Sequence, residues 1–359
     1  MIARLISWVA LSLLLSTLAL SALAPLRDDV TWAHAAASLV AFALCSIVAE
    51  SLLRRERPFD THGRMALWRH PSRWPFARLA DLVANSRLVS SWVEPLPIAA
   101  MVSDIEDVVY VNYLVEASRL EPLVPWALEL ERLGPDGRWA LFSFLTYRHG
   151  HFSFRFLGPL RRLFPSPVQT NWRIHVRDPR TKVEGIYFVT NAIDHAPPAL
   201  AARLFTEGMP MHVFARSRIS RDEETGRIEL AFDPGEGSAP EATATLAPCE
   251  APVLEGAWRE CFGDWTGFLN YCVPQNRAMS AQPWHARVTR HEITLPIDVS
   301  KAQPLAGDVR SSTARKYVGD SAPVCFRVAG LHFTFEAELH DPVKGSVETS
   351  TSAARSRDP

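Results

Sequence analysis

The sequence predicts a mainly β domain with a few short helices, set behind an N-terminal hairpin of two membrane-spanning helices. Three observations carry that expectation. Leu5 to Ala24 and Val30 to Ala49 are long apolar runs, the first without a single charge. From Val108 onward, segments rich in β-branched and aromatic residues recur between Gly, Pro, Asp and Asn. Between these two regions the chain is dense in arginine. The expected division is therefore 1–53 for the two spans, 54–107 for a basic amphipathic juxtamembrane segment, 108–340 for the β domain, and 341–359 for a disordered tail rich in Ser, Thr, Arg and Pro.

Each apolar run is long enough, at about 1.5 Å per residue, to cross a hydrocarbon core of roughly 30 Å. The second carries one ionisable side chain, His34, close to its end, where an imidazole reaches the interface at small cost. A cleaved signal peptide is the rival for the first run, since Ala22-Leu23-Ala24 has the small residues of a cleavage site. Pro25 directly after that site opposes cleavage, and the second run would anchor the product in any case. Orientation follows from arginine. The connection Pro25 to Asp29 has one arginine beside two aspartates, whereas Arg54, Arg55, Arg57, Arg64, Arg69, Arg73 and Arg78 crowd the segment after the second run. Positive-inside retention places both termini in the cytoplasm and makes this a multi-pass inner-membrane protein. Five cysteines without close pairs (Cys45, Cys249, Cys261, Cys272, Cys325) agree with a reducing compartment.

In the juxtamembrane segment, Phe76, Leu79, Leu82, Val83 and Leu88 recur at helical spacing, with Arg73, Arg78 and Arg87 on the polar side. Such a helix either lies on an anionic leaflet, with Trp74 at headgroup level and membrane lipid as its partner, or packs on the soluble domain. The formal net charge of -1 offers nothing to nucleic acid, because the basic excess sits beside the membrane spans and no nucleic-acid motif is present.

Within the β domain the expected strands are Val108 to Val115, Trp139 to Tyr147, His151 to Phe156, Asn171 to Arg177, Gly185 to Asn191, Met211 to Ile219, Arg227 to Phe232, Ala286 to Leu295, Val324 to Val328 and Leu331 to Leu339. Helices are expected over Ala117 to Val124 and Pro198 to Glu207; in the second, the proline pair suits the start and Gly208 the stop. Periodicity alone does not separate a sandwich from a barrel.

Several short motifs, in order along the chain, carry a family resemblance. Tyr110-Val111-Asn112-Tyr113 precedes a helix ending Leu120 to Pro125; Asn171-Trp172-Arg173-Ile174-His175-Val176 forms a strand; Gly208-Met209-Pro210-Met211-His212 forms a turn; Phe268-Leu269-Asn270-Tyr271 and Gln282-Pro283-Trp284 follow. Together these resemble the acetoacetate-decarboxylase-like superfamily, most closely its uncharacterised YqjF-like branch, from about Val108 to Glu338. The resemblance implies a β-barrel with a central cavity. In the decarboxylases the turn reads Gly-Phe-Pro-Lys-Lys and its first lysine forms a Schiff base. Here Met211 occupies that position, and a thioether cannot form an imine. His212 stands at the second lysine, His175 replaces a tyrosine, and Asn270 replaces an arginine.

The strongest polar constellation is Asn171, Arg173 and His175, because alternate residues of a strand share a face. Facing a cavity, Arg173 could clamp a carboxylate with two parallel hydrogen bonds while His175 titrates near neutrality; on an outer face the same three would simply be solvated. Asp194 is an alternative internal partner for Arg173, and Tyr187 and Met211 are further ligand-binding candidates. His212 and His175 are the candidate acid–base groups, against the plainer reading of His212 as a loop histidine bonded to backbone. The only lysines are Lys182, Lys301, Lys316 and Lys344. Lys182 sits in a polar turn and Lys344 in the tail; Arg315 could lower the pKa of Lys316, but adjacent residues usually point apart, so none suits an imine role. His149 and His151 have strand spacing for a shared metal, but Gly150 between them suggests a hairpin tip, and no metal or cofactor is expected. The expected function is a membrane-tethered cytoplasmic domain that binds a small organic acid or acyl-type ligand without imine chemistry. Alternatives are a lyase or hydrolase-type enzyme using His212 or His175, and a non-catalytic structural or partner-binding module. A homo-oligomer is compatible with either.

Overall fold

The structure, a computed structural model, describes residues 2–25, 32–96, 99–273 and 276–343. The arginine and aspartates of the connection between the two runs, Lys344, and nearly all of the expected tail lie outside these residues.

Two helices, α1 (Ile2–Leu23) and α2 (Trp32–Glu56), are long and apolar enough to cross a membrane, and little of either is buried. They pack on each other, with Thr17 Oγ1 donating to Ser38 Oγ at 2.9 Å and Ser38 Oγ donating to the Leu13 carbonyl at 3.1 Å. Leu15, Leu18, Leu39, Val40, Leu44 and Ile47 remain on the outer surface. The open end of the hairpin is fixed to the rest of the chain by polar contacts. Glu50 accepts from the backbone N–H of Arg87 and Leu88 (3.2 and 2.8 Å), at the start of a short helix that follows α3 (Pro75–Asn85), namely α4 (Arg87–Val93). Burial favours a neutral Glu94, but Arg64, the bond from His285 and Arg57 outweigh it and hold the carboxyl well below the usual range. Arg4 reaches from α1 to the Trp284 carbonyl and to His285 Nδ1 at 2.9 Å.

Of the two packings open to α3, its large apolar side chains do not take the one against the soluble domain. Its small side chains, Ala77, Ala80 and Ala84, face inward, while Trp74, Phe76, Leu79 and Leu82 are exposed. The large apolar residues at helical spacing thus form an outer stripe rather than a core face.

The remaining chain is built on one fifteen-stranded sheet. Its strands are β1 (Met101–Glu116), β2 (Glu129–Leu130), β3 (Trp139–Arg148), β4 (Ser153–Phe154), β5 (Val168–Arg177), β6 (Glu184–Ile193), β7 (Met211–Val213), β8 (Arg216–Arg221), β9 (Ile228–Asp233), β10 (Ala242–Pro248), β11 (Arg277–Gln282), β12 (Arg287–Thr294), β13 (Gln303–Arg310), β14 (Val324–Val328) and β15 (Leu331–Pro342). The interspersed helices are α5 (Ala117–Leu120), α6 (Ala196–Phe205), α7 (Gly256–Phe262), α8 (Trp265–Cys272) and α9 (Ser312–Val318). Pairing runs β15-β12-β11-β6-β5-β3-β1, and β15 also pairs with β1, so seven strands form a closed circuit. From β1 the sheet continues outward as β14-β13-β10-β9-β8.

β1 serves both parts because it has two partners on one edge. Met101–Ile105 pair with β15 and Val108–Asn112 with β14, while β3 follows the opposite edge. The changeover falls at Asp107, whose φ of 49° is rare for a residue with a side chain. Its carboxylate accepts from Arg327 Nε at 2.6 Å and Arg221 Nη1 at 3.3 Å, which offsets that backbone cost. The expected strand start at Val108 misses this first half, since Ser103, Asp104, Glu106 and Asp107 mask its β pattern. His151 to Phe156 likewise yields only the two residues of β4, followed by 3-10 turns over Arg155–Leu163.

Alternation on β5 separates core from cavity. Trp172, Ile174 and Val176 pack into the main core, where Trp172 stacks on Phe144 with ring centroids 4.5 Å apart. Gln169, Asn171 and Arg173 face the other way.

Candidate ligand-binding site

On that other side, enclosed largely by the seven-strand circuit, lies a cavity of about 350 Å³. β5 supplies Gln169, Asn171 and Arg173, β1 supplies Tyr110 and β3 supplies Tyr147. Nearly all other lining side chains are apolar. Phe154 of β4, Phe156 just beyond it, and Phe205 at the end of α6 line the cavity yet remain exposed, so they mark its mouth.

Arg173 is 1% exposed, and its Nε and Nη2 have no hydrogen-bond partner. Among the described residues no carboxylate pairs with it. Burial is the largest influence and lowers its affinity for the proton; Tyr110 and Cys272, which lie close, offset this in part. The guanidinium carbon stands 5.3 Å from the Tyr110 ring centroid, and that ring is itself stacked on Phe326. Burial pushes the Tyr110 hydroxyl up to about 12, so it stays a neutral donor or acceptor.

Beside the arginine runs a chain of amides. The Asn171 carbonyl oxygen accepts from Gln169 Nε2 (2.7 Å) and Asn191 Nδ2 (2.6 Å), and its own amide donates to the Tyr147 hydroxyl (3.0 Å). Gln169 Oε1 contacts His149 Nε2 at 2.9 Å, which makes Nε2 the protonated nitrogen and leaves Nδ1 to accept from Ser103 Oγ at 2.9 Å. Burial lowers His149 to about 4, so it is neutral near pH 7. Arg173 is therefore the one formal charge on the cavity wall among the described residues. A carboxylate bound in this space would stand against a desolvated guanidinium, where charge-assisted hydrogen bonding is strong.

Met211 lines the cavity because β7 runs parallel to β6, pairing Met211 with Asn191, after a turn held by the Met209 N–H donating to Thr206 Oγ1 at 3.1 Å. At Gly208 the His291 ring occupies the space that a Cβ would take, which favours glycine there. The same alternation directs His212 away. Its Nδ1 lies 2.7 Å from Ser238 Oγ, and burial, reinforced by Arg203, holds it well below its usual pKa.

Of the residues singled out from sequence, the cavity gathers Asn171, Arg173 and Met211. The others lie elsewhere and correct the expected grouping. His175 stacks on Tyr271 at 4.6 Å and is lowered to about 3 by burial and then by Arg173, so it is a neutral packed ring rather than a group titrating near neutrality. Tyr187 belongs to the core on the opposite face of β6, where Ile186 and Phe188 take the cavity positions. Asp194 contacts His195 Nδ1 at 2.6 Å and accepts from Ser217 Oγ at 2.9 Å, with no contact to Arg173. Gln169, His149, Tyr110 and Tyr147 were not singled out for binding. Gln169 was legible one alternation step before Asn171; the others come from strands whose facing neighbours sequence does not reveal.

The model of DUF2071, described as an uncharacterized conserved protein, matches residues 103–312. None of the curated proteins compared matches the sequence. Similar solved structures include acetoacetate decarboxylase from Legionella pneumophila subsp. pneumophila str. Philadelphia 1, at 16% identity over 68% of this chain and 88% of that one, with a TM-score of 0.45. The enduracididine biosynthesis enzyme MppR complexed with pyruvate is 13% identical over 68% and 90%, TM-score 0.45. An acetoacetate decarboxylase-like enzyme from Sphingomonas wittichii RW1 is 9% identical over 67% and 92%, TM-score 0.48. At such distances these likenesses say nothing of this chain's ligand or chemistry. With more than half of its length matched by the family model, the chain belongs to the DUF2071 family of uncharacterized conserved proteins.

Proposed function

We propose that this protein is a membrane-tethered cytoplasmic domain that binds an organic acid or acyl-type ligand in the cavity, with Arg173 as its carboxylate anchor and without imine chemistry. One observation carries the reading: a fully buried arginine, with two unpartnered nitrogens and no carboxylate paired with it among the described residues, is part of the cavity wall. A desolvated cation without an internal acid is costly, and an anionic ligand is the natural compensation. The open volume favours a ligand over a purely structural module. Among the described residues no lysine lines the cavity; Lys182, Lys301 and Lys316 are all exposed. His175 and His212, both off the cavity and neutral, give the acid–base alternative no support.

Borohydride added with acetoacetate or pyruvate should leave the protein mass unchanged, because Met211 offers no amine at the turn. Mass spectrometry of the intact protein checks this, and a reduced adduct on any lysine would overturn it. Native mass spectrometry of freshly purified full-length protein should in turn release an acid, and one that is missing from Arg173→Met.

The exposed stripe Trp74, Phe76, Leu79 and Leu82 on α3, close to the hairpin's open end, supports lipid as a partner of the juxtamembrane segment. With both termini cytoplasmic, a fluorescent reporter fused at the C-terminus should be bright and an alkaline phosphatase fused there inactive. The reverse pattern, or loss of the peptide up to Ala24 from the mature protein, contradicts the hairpin topology.

A further inference from the structure

We propose that the ligand is a monocarboxylic acid with a long, unbranched apolar chain, of fatty-acid type. This deepens the reading above and rests on it. Polar side chains are gathered on one wall, built by β1, β3 and β5: Arg173, the Gln169–Asn171 amides, the two tyrosine hydroxyls and, just past β3, His149. The remaining wall, Thr206 apart, is hydrocarbon contributed by β6, β12, β15 and α6, including Ile186, Phe188, Ile293 and Phe333. A three- or four-carbon acid held by Arg173 would leave most of the 350 Å³ against surfaces that offer water no hydrogen bonds. A methylene chain fills the same space and gains from every carbon buried. The mouth continues the pattern. Phe156 is 73% exposed, and beyond it Leu160 and Leu163 (82% exposed) project from the Arg155–Leu163 turns, so a chain longer than the cavity finds further apolar side chains there.

The wall also excludes other classes. A dicarboxylate would place its second charge on hydrocarbon with no cation to receive it, and a sugar acid would bury hydroxyls without partners. An alcohol or ester of the same chain would leave the guanidinium uncompensated.

The test is calorimetric titration of the full-length protein, held in amphipol, with straight-chain carboxylates from butanoate to dodecanoate and with dodecan-1-ol. Affinity should rise about threefold to fourfold per added methylene until the cavity is full, and dodecanoate should exceed dodecan-1-ol at least tenfold. Arg173→Met should erase the preference for the acid over the alcohol. Phe333→Trp, on the mouth side because it pairs with Ser103 beside β4, should weaken dodecanoate while sparing butanoate; if it fails to fold, Leu295→Trp takes its place. Butanoate or pyruvate binding as tightly as dodecanoate, still dependent on Arg173, overturns the tail assignment and leaves the acid reading standing. Equal binding of dodecanoate and dodecan-1-ol, unaffected by Arg173→Met, or no acid binding at any length, overturns the acid reading itself.

Discussion

Replacing Arg173 with Met should abolish acid binding and at the same time leave the ligand-free protein as stable as before, or more so. The two effects have one origin. In the unliganded fold the guanidinium is buried with Nε and Nη2 unpartnered, and no carboxylate among the described residues faces it. Methionine keeps much of the bulk and removes the charge; exchanges of buried ionic groups for well-packed apolar ones range from neutral to about 1–4 kcal/mol stabilising. Bound acid reverses the balance. Two hydrogen bonds to a charged group are worth about 1.5–3 kcal/mol each, so their loss should weaken binding by roughly 10²- to 10³-fold or more. Arg173→Lys keeps the charge but not the planar fork, and should recover only a small part of the affinity. Denaturant midpoints and acid titrations on the same samples check both halves. A Met variant that unfolds much more readily and still binds acids normally would show that Arg173 is a structural residue held by Tyr110 and Cys272.

That anchor was legible because β5 is a clean alternating strand: once Trp172 and Ile174 are taken as core, Asn171 and Arg173 must share the opposite face. The fate of His175 was not legible. It has the right parity, but whether the cavity extends that far depends on Tyr271 of α8, which comes from a distant part of the chain and covers it. His212 and Tyr187 have the wrong parity relative to Met211 and Phe188, and the resemblance that pointed to them could not say which neighbour turns inward. Asp194 sits at the strand end, where Ser217 and His195 compete for its carboxylate. Among the elements, β11 and β13 escape notice because Arg-Ala-Met-Ser and Gln-Pro-Leu-Ala-Gly carry little β-branched or aromatic content and owe their strand form to pairing; β10 has alternating threonines, but the alanines between them give no apolar face of any size. α3 is the converse case. Its helical period was plain, yet the period cannot tell a stripe that faces a core from one left exposed.

Acid should unfold this protein unusually early, starting below about pH 6.5 rather than in the carboxylate range. Four histidines, His149, His175, His212 and His291, are buried, and burial is the leading cause that keeps each neutral: His149 at about 4, His175 and His291 at about 3, and His212 well below its usual value. In the unfolded chain they titrate near 6.5. Their folded pKa values are depressed, so the stability they confer is complete above about 6.5 and is lost as pH falls toward 4 and below. Two carboxyls act in the opposite sense. Burial raises Glu131 and Glu338 to about 7, with Glu184 and Glu207 respectively adding repulsion. Their contribution is complete below about 4.5 and disappears as pH rises through 7. Between pH 5 and 6 the unfolded chain thus gains about four protons on histidine while the native state holds up to two on these carboxyls. At about 1.4 kcal/mol per proton and pH unit, the net slope is at least ~3 kcal/mol per unit, larger once the partial exposure of the carboxyls is allowed for. Against a typical total of about 5–15 kcal/mol, that is enough to unfold the domain between pH 4 and 5. Below 4.5 the carboxylates held low by ion pairs, Glu94 and Glu207, add to the loss. Stability should therefore peak near pH 6.5 and fall on both sides, more steeply on the acid side. Denaturant titrations between pH 8 and 4.5 measure the curve. Replacing one of the four, His212→Gln, should reduce the acid slope by about one proton; a midpoint that stays level from pH 6.5 to 4.5 would mean that these histidines are solvated and titrate normally in the folded protein.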